Sequence, residues 1–225
     1  MTIEVTDVRK EYPSRAGGKR ATTVAVAGAS FVLAPGRTVG IVGESGSGKS
    51  TLGRLVLSLE QPTSGSVTLD GLDLSHATRG ERRAFRKRVQ PVFQDPRSAL
   101  NWKHSIREIV TEPLRNVGVS KANANANAAE LLDQVQLPST VLARKPRDLS
   151  GGMLQRVAIA RALALKPEYL VCDEVLSALD VSIQAGIVNL LLGLQRETGL
   201  AMLFISHDLD VVRHISDDIL VMNQG

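Results

Sequence analysis

Aromatic residues are scarce, at 3% of the 225-residue chain. A protein that grips single-stranded nucleic acid needs stacking platforms for successive bases, and few are available here. The net charge of +4 is also mild for a protein that wraps a phosphate backbone. Cysteine occurs once, as Cys172, which excludes an internal disulfide and fits a reducing cytosol. No apolar run approaches the roughly 18 residues of a membrane-spanning helix. The opening M-T-I-E-V-T-D-V-R-K-E-Y alternates like a strand and lacks the apolar core of a signal peptide. There is no internal repeat. What remains is ordinary globular composition, 43% hydrophobic and 22% charged, with enough length for one large domain carrying a smaller inserted lobe.

The most informative stretch covers residues 39–51, V-G-I-V-G-E-S-G-S-G-K-S-T. Val39, Ile41 and Val42 form a short apolar run that predicts a buried parallel strand. Residues 43–50 then match G-x-x-x-x-G-K-[ST] at every fixed position, and a helix-forming segment follows over 50–60. The glycines let the backbone curl so that N–H groups point inward at phosphate oxygens, and the helix N-terminus adds partial positive charge. Gly43, Ser45, Gly46, Ser47, Gly48, Lys49, Ser50 and Thr51 are therefore candidate nucleotide ligands. Lys49 is placed to reach the β- and γ-phosphates, and the Ser50 hydroxyl to ligate Mg2+.

Around this loop the pattern is of alternating strands and helices. Short strands are expected over 3–8, 23–26, 31–33 and 38–42, with a flexible turn at 13–20 and a tight one at 34–37. A hairpin follows over 66–69 and 72–74, then a charged helix over 78–89 and a strand over 89–93. From Gln94 to about Ser150 the strands stop, and helical patches appear at 106–114, 122–135 and 140–144. The alternation resumes with helix 152–165, strand 169–172, helix 181–198, strand 201–205, helix 209–215 and strand 219–222. Strands separated by helices imply crossovers and a mainly parallel sheet. The expected organisation is a core lobe of residues 1–93 and 151–225, with a helical lobe inserted at about 94–150.

Two further motifs carry chemistry. Y-L-V-C-D-E, residues 169–174, is an apolar strand ending in two carboxylates, and a parallel sheet turns that end towards the crevice of the phosphate loop. Asp173 is placed to hold Mg2+ through water, and Glu174 to polarise a water in line with the γ-phosphate. D-L-S-G-G-M-L-Q-R, from residue 148, sets Ser150, Gly151 and Gly152 at the start of a helix, with Ser150 as N-cap. That is a second anion-binding helix end. Since the first loop already holds one triphosphate, the second is most economically explained as binding the nucleotide held by another copy.

With these residues in hand, L-S-G-G at 149–152 resembles the signature of ATP-binding cassette ATPases, and the other motifs of that family occur in order. Tyr12 resembles the aromatic that stacks on adenine. Gln94, in V-F-Q-D-P, resembles the glutamine that touches Mg2+ and water. S-A-L-D at 177–180 resembles the loop that crosses between subunits, and His207, in F-I-S-H-D, the histidine that contacts the γ-phosphate. The resemblance covers essentially the whole chain. It implies an α/β P-loop NTPase fold with a mainly parallel sheet, an N-terminal antiparallel β subdomain and an inserted α-helical subdomain. It further implies ATP and Mg2+ as ligands, with Glu174, His207 and Gln94 catalytic, and Ser50, Gln94 and Asp173 at the metal. A head-to-tail dimer would bring Ser150, Gly151, Gly152, Met153 and Asp180 to the partner's nucleotide. The implied partners are a second ATP-binding subunit, transmembrane permease subunits and, indirectly, an extracytoplasmic solute-binding protein, at the cytoplasmic face of the membrane. The segments G-E-S-G-S-G-K-S-T-L, V-F-Q-D-P-R-S-A-L-N and L-S-G-G-M are similar to those of oligopeptide, dipeptide and nickel importer ATPases.

Several positions depart from the family pattern. Met153 stands where many cassettes carry glutamine, although peptide-importer subunits often have methionine. Leu154 replaces a usually polar residue. Val175 and Leu176 replace the common proline-threonine, leaving Asp173 and Glu174 in place. The chain stops at Gly225, directly after a strand and where such importers usually continue, so a truncated form or one half of a fused protein is expected.

The remaining features have plainer readings. The basic run R-G-E-R-R-A-F-R-K-R at 79–88 reads as a solvated helix face, with contact to acidic partner loops or lipid headgroups as the alternative and nucleic acid as a minor option. His76, His104 and His214 lack metal-ligand spacing. Cys172 reads as a small buried hydrophobe. Trp102 fits either a core position or a surface facing membrane subunits. An alternative function is that of a soluble cassette protein acting on nucleic acid or ribosomes. Such proteins usually carry two cassettes or a long coiled-coil insertion, and neither is present. A GTPase would need N-K-x-D, which does not occur.

Overall fold

A computed structural model of the chain describes residues 2–16 and 19–225. Two long strands, β1 (Ile3–Ala16) and β2 (Lys19–Leu33), open the fold, followed by β3 (Thr38–Gly43) and α1 (Lys49–Val56). Next come β4 (Ser64–Leu69), β5 (Leu72–Asp73), α2 (Arg79–Arg88) and β6 (Val89–Val92). A helical stretch then holds the single turn α3 (Pro96–Ala99), α4 (Ile106–Asn116), α5 (Lys121–Ala126) and α6 (Ala128–Gln134). The chain closes with α7 (Gly151–Leu163), β7 (Tyr169–Asp173), α8 (Val181–Thr198), β8 (Ala201–Ser206), α9 (Leu209–Ile215) and β9 (Asp218–Met222).

The strands form two sheets. An antiparallel one has the order β2-β1-β4-β5, and a parallel one has the order β6-β7-β8-β3-β9. This is the expected α/β class with an N-terminal antiparallel sheet and an all-helical stretch between β6 and α7. Strand β3 lies between β8 and β9, so the loop after it opens at the C-terminal edge of the parallel sheet. Successive side chains of a strand point to opposite faces, and the core divides accordingly. Leu170 and Cys172 of β7 and Met202 and Phe204 of β8 join the cluster formed with α4, α6, α7 and α8. Tyr169, Val171, Leu203 and Ile205 join the cluster under α1 and the antiparallel sheet. Both faces are covered, which is why these strands read as continuous apolar runs. Among the described residues no helix is long and apolar enough to cross a membrane.

Four local expectations change. Residues 13–16 and 19–20 are not a loop: they pair across the β1–β2 hairpin, Pro13 opposite Thr22 and Ala16 opposite Lys19. A Gly-Gly dipeptide between two strands is the hairpin signal for this; Gly17 and Gly18 themselves lie outside the described residues. The separate strands at 23–26 and 31–33 are one, β2, because β1 continues beside them with register shifts instead of ending. Helix α1 stops at Val56, short of residue 60. There Ser58 takes a left-handed backbone, its N–H bonds the Leu55 carbonyl, and Leu59 N–H bonds that of Arg54. This closes the helix in a Schellman motif without the usual glycine. The helix expected over 122–135 breaks at Asn127, whose side-chain amide donates to the Asn123 carbonyl at 2.9 Å.

Candidate functional site

The turn from β3 into α1 forms one wall of a cleft of about 310 Å3. Ala25, Ser45, Gly46, Gly48, Lys49, Ser50, Thr51, Gln94 and Glu174 line it. Gly48 has φ of 102°, and a Cβ there would sit 2.0 Å from the Ala25 carbonyl oxygen, so only glycine fits the close approach of β2. Lys49 is 4% exposed. Its ammonium donates to the carbonyls of Gly43 and Glu44, at 2.8 Å each, and lies 4.0 Å from the Glu174 carboxylate. Gly43 and Ser47 do not line the cleft. Gly43 ends β3, and the Ser47 hydroxyl is buried, so these two can meet a ligand only through backbone.

The acid pair stands at the end of β7, and of the two Glu174 lines the cleft while Asp173 does not. Ser50 Oγ donates to Asp173 Oδ1 at 2.9 Å. Burial pushes the Asp173 carboxyl above the ordinary carboxylate range, although the Ser50 bond pulls the other way. A hydroxyl beside a half-buried carboxylate supplies hard oxygen donors, and these fit Mg2+, which is held by one or two carboxylates together with phosphate oxygens. Among the described residues no group of three or more His, Cys, Asp or Glu forms a separate metal site. Glu174 sits in the left-handed region with φ of 49°, a conformation that costs a non-glycine residue about 1–2 kcal/mol. Hydrogen bonds hold it there. Its N–H donates to the Ile205 carbonyl at 2.9 Å, and its own carbonyl accepts from the Ser177 hydroxyl at 3.0 Å. His207, just beyond β8, places Nδ1 3.5 Å from Glu174 Oε2. Gln94 donates to Ser177 Oγ at 3.1 Å. Strain of this kind gathers at functional sites.

Tyr12 stands outside the cleft lining, and its hydroxyl donates to Glu60. The second helix end is elsewhere. Ser150 caps α7 by accepting from Met153 N–H at 3.4 Å. Ser150 and Asp180 are exposed, and none of Ser150, Gly151, Gly152, Met153 or Asp180 lines the cleft. A larger cavity of about 480 Å3, with Pro35, Leu163, Tyr169 and Leu200 in its walls, lies at the opposite end of β7 and β8. Parallel sheets place ligands at their C-terminal strand ends, and the phosphate loop and both acids are there.

A sequence model described as "ABC transporter" matches residues 26–177. The chain belongs to the ABC transporter family. It is 46% identical over 227 residues to a "Probable peptide ABC transporter ATP-binding protein" of Sinorhizobium fredii, covering 99% of this chain and 64% of that protein. It is also 46% identical over 228 residues to the oligopeptide transport ATP-binding protein AppF of Bacillus subtilis, covering 99% and 69% respectively. The chain thus spans about two thirds of the length of these relatives. Among solved structures, it resembles a dimeric ATP-binding cassette in a post-hydrolysis state bound to ADP and Pi. The TM-score is 0.86 and the identity 30%, with 99% of this chain and 95% of the other covered.

The departures at Leu154 and at Val175 and Leu176 have physical reasons. Leu154 is 1% exposed and packs in the main core, where a polar side chain would need a partner. Val175 and Leu176 are buried in the same core, so apolar packing anchors the segment before Ser177. Three contacts at the site had no sequence signal. The backbone of Ala25 crowds Gly48, Ser177 bridges Gln94 to Glu174, and Glu60 receives the Tyr12 hydroxyl. Each depends on a tertiary contact between segments distant in sequence.

Proposed function

We propose that this chain binds and hydrolyses ATP to energise an ABC transporter, and that the transporter imports peptides. The observation that supports this best is the division of labour in space. Lys49, Ser50, Glu174 and Gln94 converge on one cleft, with Asp173 bonded to Ser50, whereas the exposed Ser150 helix start takes no part in lining it. In this reading residues 1–93 and 151–225 form the ATPase lobe and about 94–150 the helical lobe. The phosphates lie on the N–H groups of residues 43–51, and Lys49 moves from the Gly43 and Glu44 carbonyls to the β- and γ-oxygens. Ser50 and Asp173, with Gln94 nearby, would hold Mg2+, which would supply charge neutralisation at the transferring phosphoryl group. Glu174 accepts a proton from the attacking water, a role that contributes about 10²–10⁴-fold. His207, beside Glu174, holds the γ-phosphate, and Tyr12 stacks on adenine.

A second copy supplies Ser150, Gly151, Gly152, Met153 and Asp180 to close the pocket, as two helix ends facing one triphosphate require. Peptide cargo is supported by the names of the relatives, which are peptide and oligopeptide transport proteins. Permease subunits and a location at the cytoplasmic membrane face follow from the same reading. The test is to purify the tagged chain from membranes and assay the complex in liposomes. Co-isolation of membrane subunits with ATP-dependent peptide uptake is expected. Co-isolation of RNA or ribosomes without permeases would favour the soluble alternative instead.

A further inference from the structure

One carboxylate ties Tyr12 to the segment that follows the phosphate-loop helix. Glu60 lies just beyond α1 and accepts the hydrogen bond of the Tyr12 hydroxyl. Its carboxylate is 3.7 Å from the Lys10 ammonium and 3.7 Å from the Arg54 guanidinium. Lys10 in turn lies over the Tyr12 ring, 5.1 Å from its centroid, and donates to the Gln61 carbonyl at 2.8 Å. The backbone is pinned at the same place. Thr63 N–H donates to the Arg9 carbonyl at 2.7 Å, and Glu11 N–H donates to the Thr63 hydroxyl at 3.0 Å.

The consequence for the ring is geometric. Its tip is held by Glu60 and one face is covered by the Lys10 cation, an attractive cation–π arrangement. A planar base can then stack only on the other face. A tyrosine free to turn would lose rotamer freedom on stacking, whereas this ring has already lost it. Because Arg54 is on α1, the same carboxylate also fixes the ring relative to the helix that begins at Lys49. Burial, together with the Glu60 bond, raises the pKa of the phenol, which keeps its proton and remains a donor at neutral pH.

We propose that Glu60 is a positioning residue for the nucleotide base, holding Tyr12 and Lys10 so that one face of the ring is presented to a purine. This rests on the reading of Tyr12 as the base-stacking residue. The experiment is calorimetric titration of the chain and its variants with ATP and with inorganic triphosphate, which has no base. Tyr12→Ala should bind ATP roughly tenfold more weakly, the scale of one base–aromatic stack, with triphosphate affinity unchanged. Glu60→Ala should lose about three- to tenfold for ATP and nothing for triphosphate. Glu60→Gln still accepts the hydroxyl and should restore ATP binding to within about twofold of the parent.

Equal weakening of ATP and triphosphate in Glu60→Ala would make Glu60 a prop of the phosphate-loop helix and overturn the proposal. So would unchanged ATP binding in Glu60→Ala alongside a weakened Tyr12→Ala, or a Glu60→Gln variant as weak as Glu60→Ala. Unchanged ATP binding in Tyr12→Ala would overturn the stacking reading itself, a different result from failure of the clamp.

Discussion

The Ser50 hydroxyl donates to the Asp173 carboxylate across 2.9 Å, joining the phosphate loop to a strand end 123 residues further along the chain. A cation that binds here replaces the hydroxyl proton as the carboxylate's partner. Asp173→Asn should therefore remove most of the Mg2+ dependence of ATP binding. The Mg2+ concentration for half-maximal effect should rise by about tenfold or more, since one charged ligand is lost. Titrating Mg2+ at fixed nucleotide measures this, and an unaltered Mg2+ profile would remove Asp173 from the metal site.

Glu174 is held in a left-handed backbone conformation with its carboxylate between Lys49 and His207. Glu174→Gln keeps the shape but loses proton-accepting capacity. ATP affinity should stay within about threefold while turnover falls about 10²-fold or more, with dimers accumulating. Single-turnover hydrolysis and light scattering separate the two effects. Near-normal turnover would show that another group accepts the proton.

The buried leucine next to the second helix end gives a stability prediction. Leu154→Gln inserts an amide where the side chain is 1% exposed. It should lower stability by about 2–4 kcal/mol through lost packing and an unpaired polar group. Gly152 is tighter still. A Cβ there would meet Ile183 Cγ2 at 2.6 Å, so Gly152→Val should cost about 1–3 kcal/mol by overpacking. Thermal melts compared with Leu154→Met, which conserves volume, check both. An unchanged midpoint in Leu154→Gln would mean that the helix start is more open than its burial indicates.

Most of the fold was legible because its signals are local. The phosphate loop, the charged run of α2, and the apolar runs of β3, β7 and β8 each announce themselves within a few residues. The misread elements depend on something else. Helix α1 ends on a left-handed serine, for which no glycine gives warning, and the α5–α6 break comes from an asparagine that is a passable helix former until its amide turns to the backbone. In the site, the motif residues stand out by pattern. The Gln94–Ser177–Glu174 bridge and the Glu60 hub do not, because their partners are brought together only when the sheets pack.

Lys49 is buried in the cleft lining with its ammonium on two backbone carbonyls. Lys49→Ala should weaken ATP binding by about tenfold or more, through loss of a charge-assisted contact to phosphate. The folded state should be retained, because those carbonyls can turn to water. Unchanged affinity by calorimetry would contradict the phosphate-loop assignment.

The most direct measurement mixes two inactive chains. Lys49→Ala spoils the phosphate loop but keeps the Ser150 helix start, and Ser150→Phe does the reverse. If each pocket is built from two molecules, a mixed dimer contains one intact pocket. ATP turnover should then reappear on mixing and should fall with dilution as the pairs dissociate. A mixture no more active than the sum of its parts, with wild-type specific activity independent of concentration, would contradict the account.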